Sequence, residues 1–290
     1  MDVSSRIERA LTNALGRADN PSCPPLLAAA MRHAVFPKGA RIRPRLCLAV
    51  AGACGEDDPD IADAAAAAIE LLHCASLVHD DLPCFDDAET RRGKLSVHRA
   101  YGEPLAVLAG DALIVLAFQT IATGAATAPL RLGPLVSTVA RSVGVPNGIC
   151  AGQAWECEPS ADLALYQREK TGALFAAATV AGAAAAGFPA EAWRRLGEKL
   201  GEAYQVADDI RDAVCTAEEL GKPIGKDAAL GRPSAVLQLG LAGAVARLAD
   251  LAGDAVESVP SCPGQTSLRG HIMSETRRLL PKDVARAAAA

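Results

Sequence analysis

The sequence predicts an all-α protein, and three observations carry that prediction. Alanine is abundant while aromatic residues make up only 3% of the chain, long segments contain no proline, and apolar residues recur mainly at helical spacing. Alanine is the strongest helix former, whereas aromatic residues are enriched in strands. The elements follow in order. Helices are expected near 2–16, 24–33, 40–54 and 60–82, parted by Pro37-Lys38-Gly39 and by Gly55-Glu56-Asp57-Asp58-Pro59. Pro83 has no N–H to return to His79, so the fourth helix should end or kink there. Further helices are expected near 98–101, 104–124, 130–143, 147–156 and 161–186, the last closed by Gly187-Phe188-Pro189. Three more follow near 190–215, 233–257 and 265–278, set apart by Gly221-Lys222-Pro223 and Ser261-Cys262-Pro263-Gly264. Neither a linker nor a repeat interrupts this series, so residues 1–290 are expected to form one domain.

Composition narrows the function classes. Half of the 290 residues are hydrophobic, enough for a sizeable core, and the net charge of −5 lacks the basic footprint that nucleic acid demands. Nine cysteines, none in a C-x-x-C pair, read as reduced and mostly buried thiols of a cytoplasmic protein. The first fifteen residues lack the apolar core of a signal peptide. Residues 171–190 carry no charge, but they are mostly Ala, Gly and Thr, which suits a tightly packed internal helix. No stable membrane insertion is expected.

Two acidic clusters hold the chemistry. The first is Asp80-Asp81-Leu82-Pro83-Cys84-Phe85-Asp86-Asp87, with Arg91-Arg92-Gly93 just after it; the second is Asp208-Asp209-Ile210-Arg211-Asp212, with Lys222 and Lys226 downstream. Carboxylates this close repel unless cations sit among them. Magnesium takes oxygen ligands, commonly a few carboxylates plus substrate phosphate, and the neighbouring bases point to a phosphate ester. Asp80 and Asp81 fall on the last regular turn of their helix, and the chain then curls so that Asp86 can return toward the same cation. Asp208 and Asp212 are four apart on one helix face, with Gln205 one turn earlier.

These strings resemble the two aspartate-rich motifs of the trans-isoprenyl diphosphate synthases, in particular Leu77-Val78-His79-Asp80-Asp81-Leu82-Pro83 and Gln205-Val206-Ala207-Asp208-Asp209-Ile210-Arg211-Asp212. Lys170-Thr171-Gly172 and Gly221-Lys222-Pro223-Ile224-Gly225-Lys226-Asp227 resemble the family's basic elements, and the likeness runs through nearly the whole chain. The four residues between Asp81 and Asp86 resemble the bacterial branch, with its carotenoid and bacteriochlorophyll pathways. The resemblance implies the isoprenoid synthase fold, a helical bundle around a central cavity, and a homodimer. It implies condensation of isopentenyl diphosphate with dimethylallyl, geranyl or farnesyl diphosphate, ending at geranylgeranyl diphosphate, with the proton lost to the released pyrophosphate.

Residue roles come with it. Asp80, Asp86 and Asp208 would hold three magnesium ions, supported by Asp81, Asp209 and Asp212. Arg91, Lys170 and Lys222 would contact the allylic diphosphate, near Thr171 and Gln205; Arg43, His73 and Arg92 would hold isopentenyl diphosphate. The family's Gly-Gly-Lys-Arg-Leu-Arg-Pro is Lys38-Gly39-Ala40-Arg41-Ile42-Arg43-Pro44 here, so Ala40 stands where a lysine is usual and Arg41 and Arg43 are the expected contacts, with Lys38 as a substitute charge. Ala75 and Ser76, five and four residues before Asp80, are where an aromatic side chain would stop growth at fifteen carbons. Leu108 and Phe118 are candidates for the hydrocarbon tunnel, and Trp155, Phe175 and Tyr204 for core. A class I terpene cyclase would carry Ser or Thr where Asp212 stands, and a regulatory subunit would lack some of these aspartates. A synthase stopping at farnesyl diphosphate is the nearer alternative.

Overall fold

A computed structural model describes residues 2–36, 39–158, 172–214 and 234–279. Helices dominate it: α1 (Val3–Leu15), α2 (Pro25–Val35), α3 (Ile42–Ala53), α4 (Pro59–Asp80), α5 (Val97–Tyr101), α6 (Glu103–Gly124), α7 (Pro129–Val143) and α8 (Ile149–Ala154). Then come α9 (Ala173–Ala185), α10 (Arg194–Val214), α11 (Ala235–Glu257) and α12 (Gln265–Arg278). Local chemistry sets several starts. Asp2 caps α1 by accepting from Ser5 N–H, and Asp58 caps α4 from Asp60 N–H with Pro59 in the first turn. Gly102, at φ 87°, makes the sharp step from α5 into α6.

The chain falls into two compact units, Met1–Ala140 with Ala181–Ala190, and Arg141–Val180 with Glu191–Ala290. Two of the boundaries fall inside α7 and α9, and the third falls between Ala190 and Glu191. In the first unit α4 lies against α6. A Cβ on Gly110 would meet His79 Nε2 at 2.1 Å, and one on Gly124 would meet Ala64 Cβ at 2.3 Å, so the glycines let the two helices close and their pairing is antiparallel. In the second unit α10 presents Ala203, Ala207 and Ile210 to Ala244, Leu248 and Leu251 of α11. This repeat every three or four residues is the helical stripe the sequence pattern implied. Gly201 brings α10 so near the start of α9 that a Cβ there would lie 2.9 Å from Gly172 Cα.

Three details depart from expectation. Residues 147–156 give only a short α8, followed by a 3₁₀ turn at Trp155–Cys157. Another 3₁₀ turn, Glu191–Trp193, leads into α10. An unforeseen hairpin, β1 (Thr90–Arg91) with β2 (Lys94–Leu95), follows the first acidic cluster. Its two turn residues, Arg92 at φ 52° and Gly93 at φ 75°, both have the left-handed backbone of a tight two-residue hairpin.

The expectation for the thiols also needs correction. Of the described cysteines, Cys47, Cys54 and Cys74 are buried, but Cys84, Cys150 and Cys157 are exposed. Cys84 lies in the loop between the first aspartates, in an exposed run with Pro83 and Phe85. Burial pushes the Cys47 thiol up to about 12 and that of Cys74 to about 11, so both stay protonated and inert. The uncharged stretch that approached membrane length forms α9, whose Leu174, Phe175 and Val180 are each 2% exposed. Three other segments, 59–80, 103–127 and 235–257, are long and apolar enough to cross a membrane, and the first has 78% of its apolar window buried inside the protein.

Candidate functional site

The first unit brings together most of the predicted residues. Helix α4 ends at Asp80, and the chain curls as expected: Asp86 N–H donates to Asp80 C=O at 2.9 Å and Asp87 N–H to Leu82 C=O at 3.1 Å. The curl needs a left-handed backbone at Asp87, φ 44°. Arg99 from α5 holds that residue by a 2.9 Å bond to its carboxylate. His98, also from α5, lies 3.6 Å from the same oxygen and receives or gives a bond at Ser96 Oγ, so it serves the loop's framework.

Asp80 and Asp81, neighbours in sequence, have different surroundings. Asp81 is 2% exposed, and Arg91 Nε donates to its two oxygens at 3.0 and 3.2 Å, with Arg91 Nη2 closer still. The carboxylate opposes burial and raises the Arg91 pKa above its ordinary value. Asp81 therefore anchors Arg91, while Asp80 and Asp86 are half-buried.

Seven residues before Asp80, His73 stands among arginines. Arg43 Nη1 lies 3.4 Å from His73 Nε2. Burial, then the charges of Arg43, Arg92, Arg91 and Arg41, holds the imidazole well below its usual pKa, so it is neutral at pH 7. Arg92, on the hairpin turn, extends across Gly39: a Cβ there would lie 2.7 Å from the guanidinium carbon. Its Nη1 reaches Cys74 Sγ at 3.9 Å and its Nη2 lies 3.7 Å from Glu70 Oε1.

Arg41 is the exception among the expected substrate contacts. Its Nη1 donates to Glu70 at 2.6 Å, its Nε to Glu8 at 3.0 Å and its Nη2 to Val35 C=O at 2.9 Å, and it is 6% exposed. All three nitrogens face inward, so Arg41 ties α1, α2 and α4 together instead of standing open to a ligand. Ala40, in the place of the usual lysine, is exposed. Lys38 lies outside the described residues, as do Lys170, Thr171, Lys222 and Lys226.

In the second unit, Asp208 Oδ1 accepts from Arg211 Nη2 at 2.9 Å and its side chain is 30% exposed. Asp209, by contrast, is 8% exposed and points to the interior. Its Oδ1 accepts from Gln205 Nε2 at 3.1 Å and its Oδ2 from the Ala235 N–H at 2.8 Å. Gln205, expected near substrate, thus spends an amide hydrogen on Asp209. Asp212 is half-buried one turn beyond Asp208. A pocket of about 380 Å³ runs along this stretch, lined by Gln205, Asp209, Ser234 and Arg247 among others.

The polyprenyl synthetase family pattern matches residues 24–262. The chain belongs to that family. It is 55% identical over 285 residues to a geranylgeranyl diphosphate synthase of Cereibacter sphaeroides, covering 98% of this chain and 99% of that protein. The corresponding protein of Rhodobacter capsulatus is 54% identical over 268 residues, covering 92% of this chain and 93% of the relative. Among solved structures, a geranyltransferase from Helicobacter pylori, complexed with magnesium and isoprenyl diphosphate, superposes with a TM-score of 0.78 at 28% identity, covering 96% of this chain and 98% of that one. As polyprenyl synthetases are prenyltransferases, the all-α reading and the enzyme class both hold.

The residues of this polyprenyl synthetase fit a magnesium cofactor. Asp80, Asp86 and Asp208, each half-buried, are all carboxylates, the hard oxygen donors that magnesium takes. Among the described residues no three His, Cys, Asp or Glu side chains already form a closed cage. Magnesium commonly takes a few carboxylates and keeps positions for water and phosphate, which suits these acids. Two tunnel expectations fare differently: Phe118 is half-buried on α6, but Leu108 stands at the surface, 52% exposed. Phe175 is buried and stacks at 5.3 Å, tilted, on Tyr204, as core residues do. The sequence reading gave Glu70 no role, though an acid inside the apolar run Ile69 to Leu72 was the signal for one.

Proposed function

We propose that this polyprenyl synthetase is a magnesium-dependent geranylgeranyl diphosphate synthase, acting on isopentenyl diphosphate and an allylic diphosphate. One observation carries the reading: α4 delivers Asp80 at its end and, two turns earlier, a neutral His73 set beside Arg43 and within the field of Arg92. An acid cluster for metal and a basic cluster for a second anion thus share one helix. The near-full-length identity to geranylgeranyl diphosphate synthases supports the same product.

In this reading Arg43, Arg92 and neutral His73 bind isopentenyl diphosphate, and Arg91, aimed by Asp81, binds the allylic diphosphate with Lys170 and Lys222. Asp80, Asp86 and Asp208 hold magnesium, three ions in all. When bound, the magnesium supplies positive charge against the diphosphate that departs from the allylic carbon. Fixed cations of this kind stabilise charge as it develops, without reorganising at the moment of reaction. The isopentenyl double bond attacks the allylic carbon, and the departing pyrophosphate takes the proton. Arg41, engaged on all its nitrogens, holds the framework and not a substrate.

The outer face of α6 exposes Val107 by 41%, Leu108 by 52% and Val115 by 57%, which supports a homodimer contact there. The free thiols of the described cysteines support a reducing, cytoplasmic setting. The test is incubation of the purified protein with isopentenyl diphosphate and, in turn, dimethylallyl, geranyl and farnesyl diphosphate, with product length read by chromatography. A main product of twenty carbons, abolished by chelation and restored by magnesium, is expected. No consumption of isopentenyl diphosphate would overturn the reading, and a fifteen-carbon main product would replace it with the farnesyl alternative.

A further inference from the structure

We propose that Glu70 is the positioning residue that aims Arg92 at isopentenyl diphosphate, through a buried bridge it shares with Arg41. The proposal rests on the binding role given to Arg92 above. Glu70 is 1% exposed on α4, and its Oε1 lies 2.6 Å from Arg41 Nη1 and 3.7 Å from Arg92 Nη2. Three separate segments, the entry to α3, the middle of α4 and the hairpin turn, meet at this one carboxylate.

Backbone geometry marks the same point. Arg41 and Arg92 each have φ 52°, the left-handed region that residues with a side chain seldom adopt. Such conformations persist where the surroundings over-determine them, and they gather at functional sites. Here both left-handed arginines turn toward Glu70. Arg41 is fully committed, with Glu8 and Val35 C=O taking its other nitrogens. Arg92 is only partly committed: Nη2 approaches Glu70 and Nη1 reaches Cys74 Sγ.

The need for an anchor follows from the side chain. An arginine on a hairpin tip has several rotatable bonds, and ordering it on binding costs affinity. Gly39 provides the slot, since a side chain there would collide with the guanidinium. The Glu70 charge supplies the attraction that keeps Arg92 in that slot before substrate arrives. Arg41 keeps Glu70 in place in turn, which is how a residue turned away from substrate still serves the site.

Glu70→Gln preserves shape and removes the charge. The Michaelis constant for isopentenyl diphosphate is expected to rise about tenfold, as loss of one charge-assisted contact would give. The turnover number and the constant for the allylic substrate should stay near wild type. Because Glu70 acts through Arg92, adding Glu70→Gln to Arg92→Ala should raise the isopentenyl constant no further than Arg92→Ala alone. If Glu70→Gln does not fold, the double variant Arg41→Gln/Glu70→Gln removes both buried charges together and should show the same selective rise. An unmoved isopentenyl constant in these variants overturns the proposal, as do additive effects with Arg92→Ala or equal losses for both substrates. Should Arg92→Ala itself leave the isopentenyl constant unmoved, the binding role of Arg92 falls first and the proposal with it; an Arg92→Ala effect without a Glu70→Gln effect overturns the proposal alone.

Discussion

Asp209 Oδ2 accepts the backbone N–H of Ala235 at 2.8 Å, joining α10 to the first turn of α11 across 26 residues of sequence. The first N–H groups of a helix have no partner inside it, and a buried carboxylate is a strong one. Ser234 takes a second of these groups, accepting from Val236 N–H at 3.3 Å. The adjacent Asp208 is held by Arg211 and stands partly open. Asp209 therefore supports the start of α11, and Asp208 is the acid of this pair that suits the metal role proposed for it, a division of labour between neighbours.

That division predicts opposite phenotypes. Asp209→Ala should lower stability by about 1–2 kcal/mol, the usual loss for a helix cap, measured as a fall in the denaturation midpoint. Asp208→Ala should leave that midpoint nearly unchanged while cutting turnover by orders of magnitude. Equal stability losses in both variants would refute the division.

The first pair repeats the pattern in the other unit. Arg91 binds Asp81 through both carboxylate oxygens, whereas Asp80 sits at the end of α4. Asp81→Asn should cost about 1.5–3 kcal/mol, the range for hydrogen bonds to charged groups, and should weaken allylic substrate binding through Arg91. Asp80→Ala should abolish turnover with its melting curve intact. Normal turnover of Asp80→Ala at saturating magnesium would sink the metal assignment.

Much of this was legible in the sequence for physical reasons. Helical spacing and Pro83 placed α4 and its end to within a few residues, and the curl returning Asp86 toward Asp80 followed from that end. The inward or outward sense of each aspartate was not legible. Asp80 and Asp81 are one residue apart, and which of them meets Arg91 depends on a hairpin of two-residue strands too short to give an alternating pattern. Arg41 and Arg43 look equally suited to phosphate in one dimension. Glu70, 29 residues from Arg41, decides that Arg41 turns inward. Gln205 is similar, since its partner choice depends on α11 arriving at Asp209.

His73 predicts the direction of a pH effect. Burial and the surrounding arginines lower its pKa in the folded state well below its ordinary value, so the unfolded chain takes up a proton first on acidification. Stability contributed by neutral His73 is therefore present above the unfolded value of about 6.5 and is lost as pH falls below it, with a limiting slope of about 1.4 kcal/mol per pH unit. Urea midpoints from neutral pH to about 5 should fall less steeply for His73→Gln than for the wild type. Parallel curves would show that His73 keeps its ordinary pKa in the fold.

Ala75 predicts the product. It is fully buried on α4, four residues before His79, which packs over Gly110 of α6, so the two share a helix face. At 1.5 Å per residue it lies about 7.5 Å along the helix from Asp80. A tail growing from a diphosphate held at Asp80 reaches this depth within its first isoprene units. Ser76 is the weaker candidate, because its hydroxyl is turned back onto His73 C=O at 2.8 Å. Ala75→Phe places a ring where a methyl group stands now, and overpacking of this kind costs about 1–3 kcal/mol, so the melting temperature must be followed with the product. A folded, active Ala75→Phe variant should make mainly the fifteen-carbon product from dimethylallyl diphosphate and fail to extend farnesyl diphosphate. Ser76→Phe should shift the distribution less. If Ala75→Phe stays folded and still makes mainly the twenty-carbon product, the wall that ends growth is not on this turn of α4, and the small side chain at 75 serves only packing.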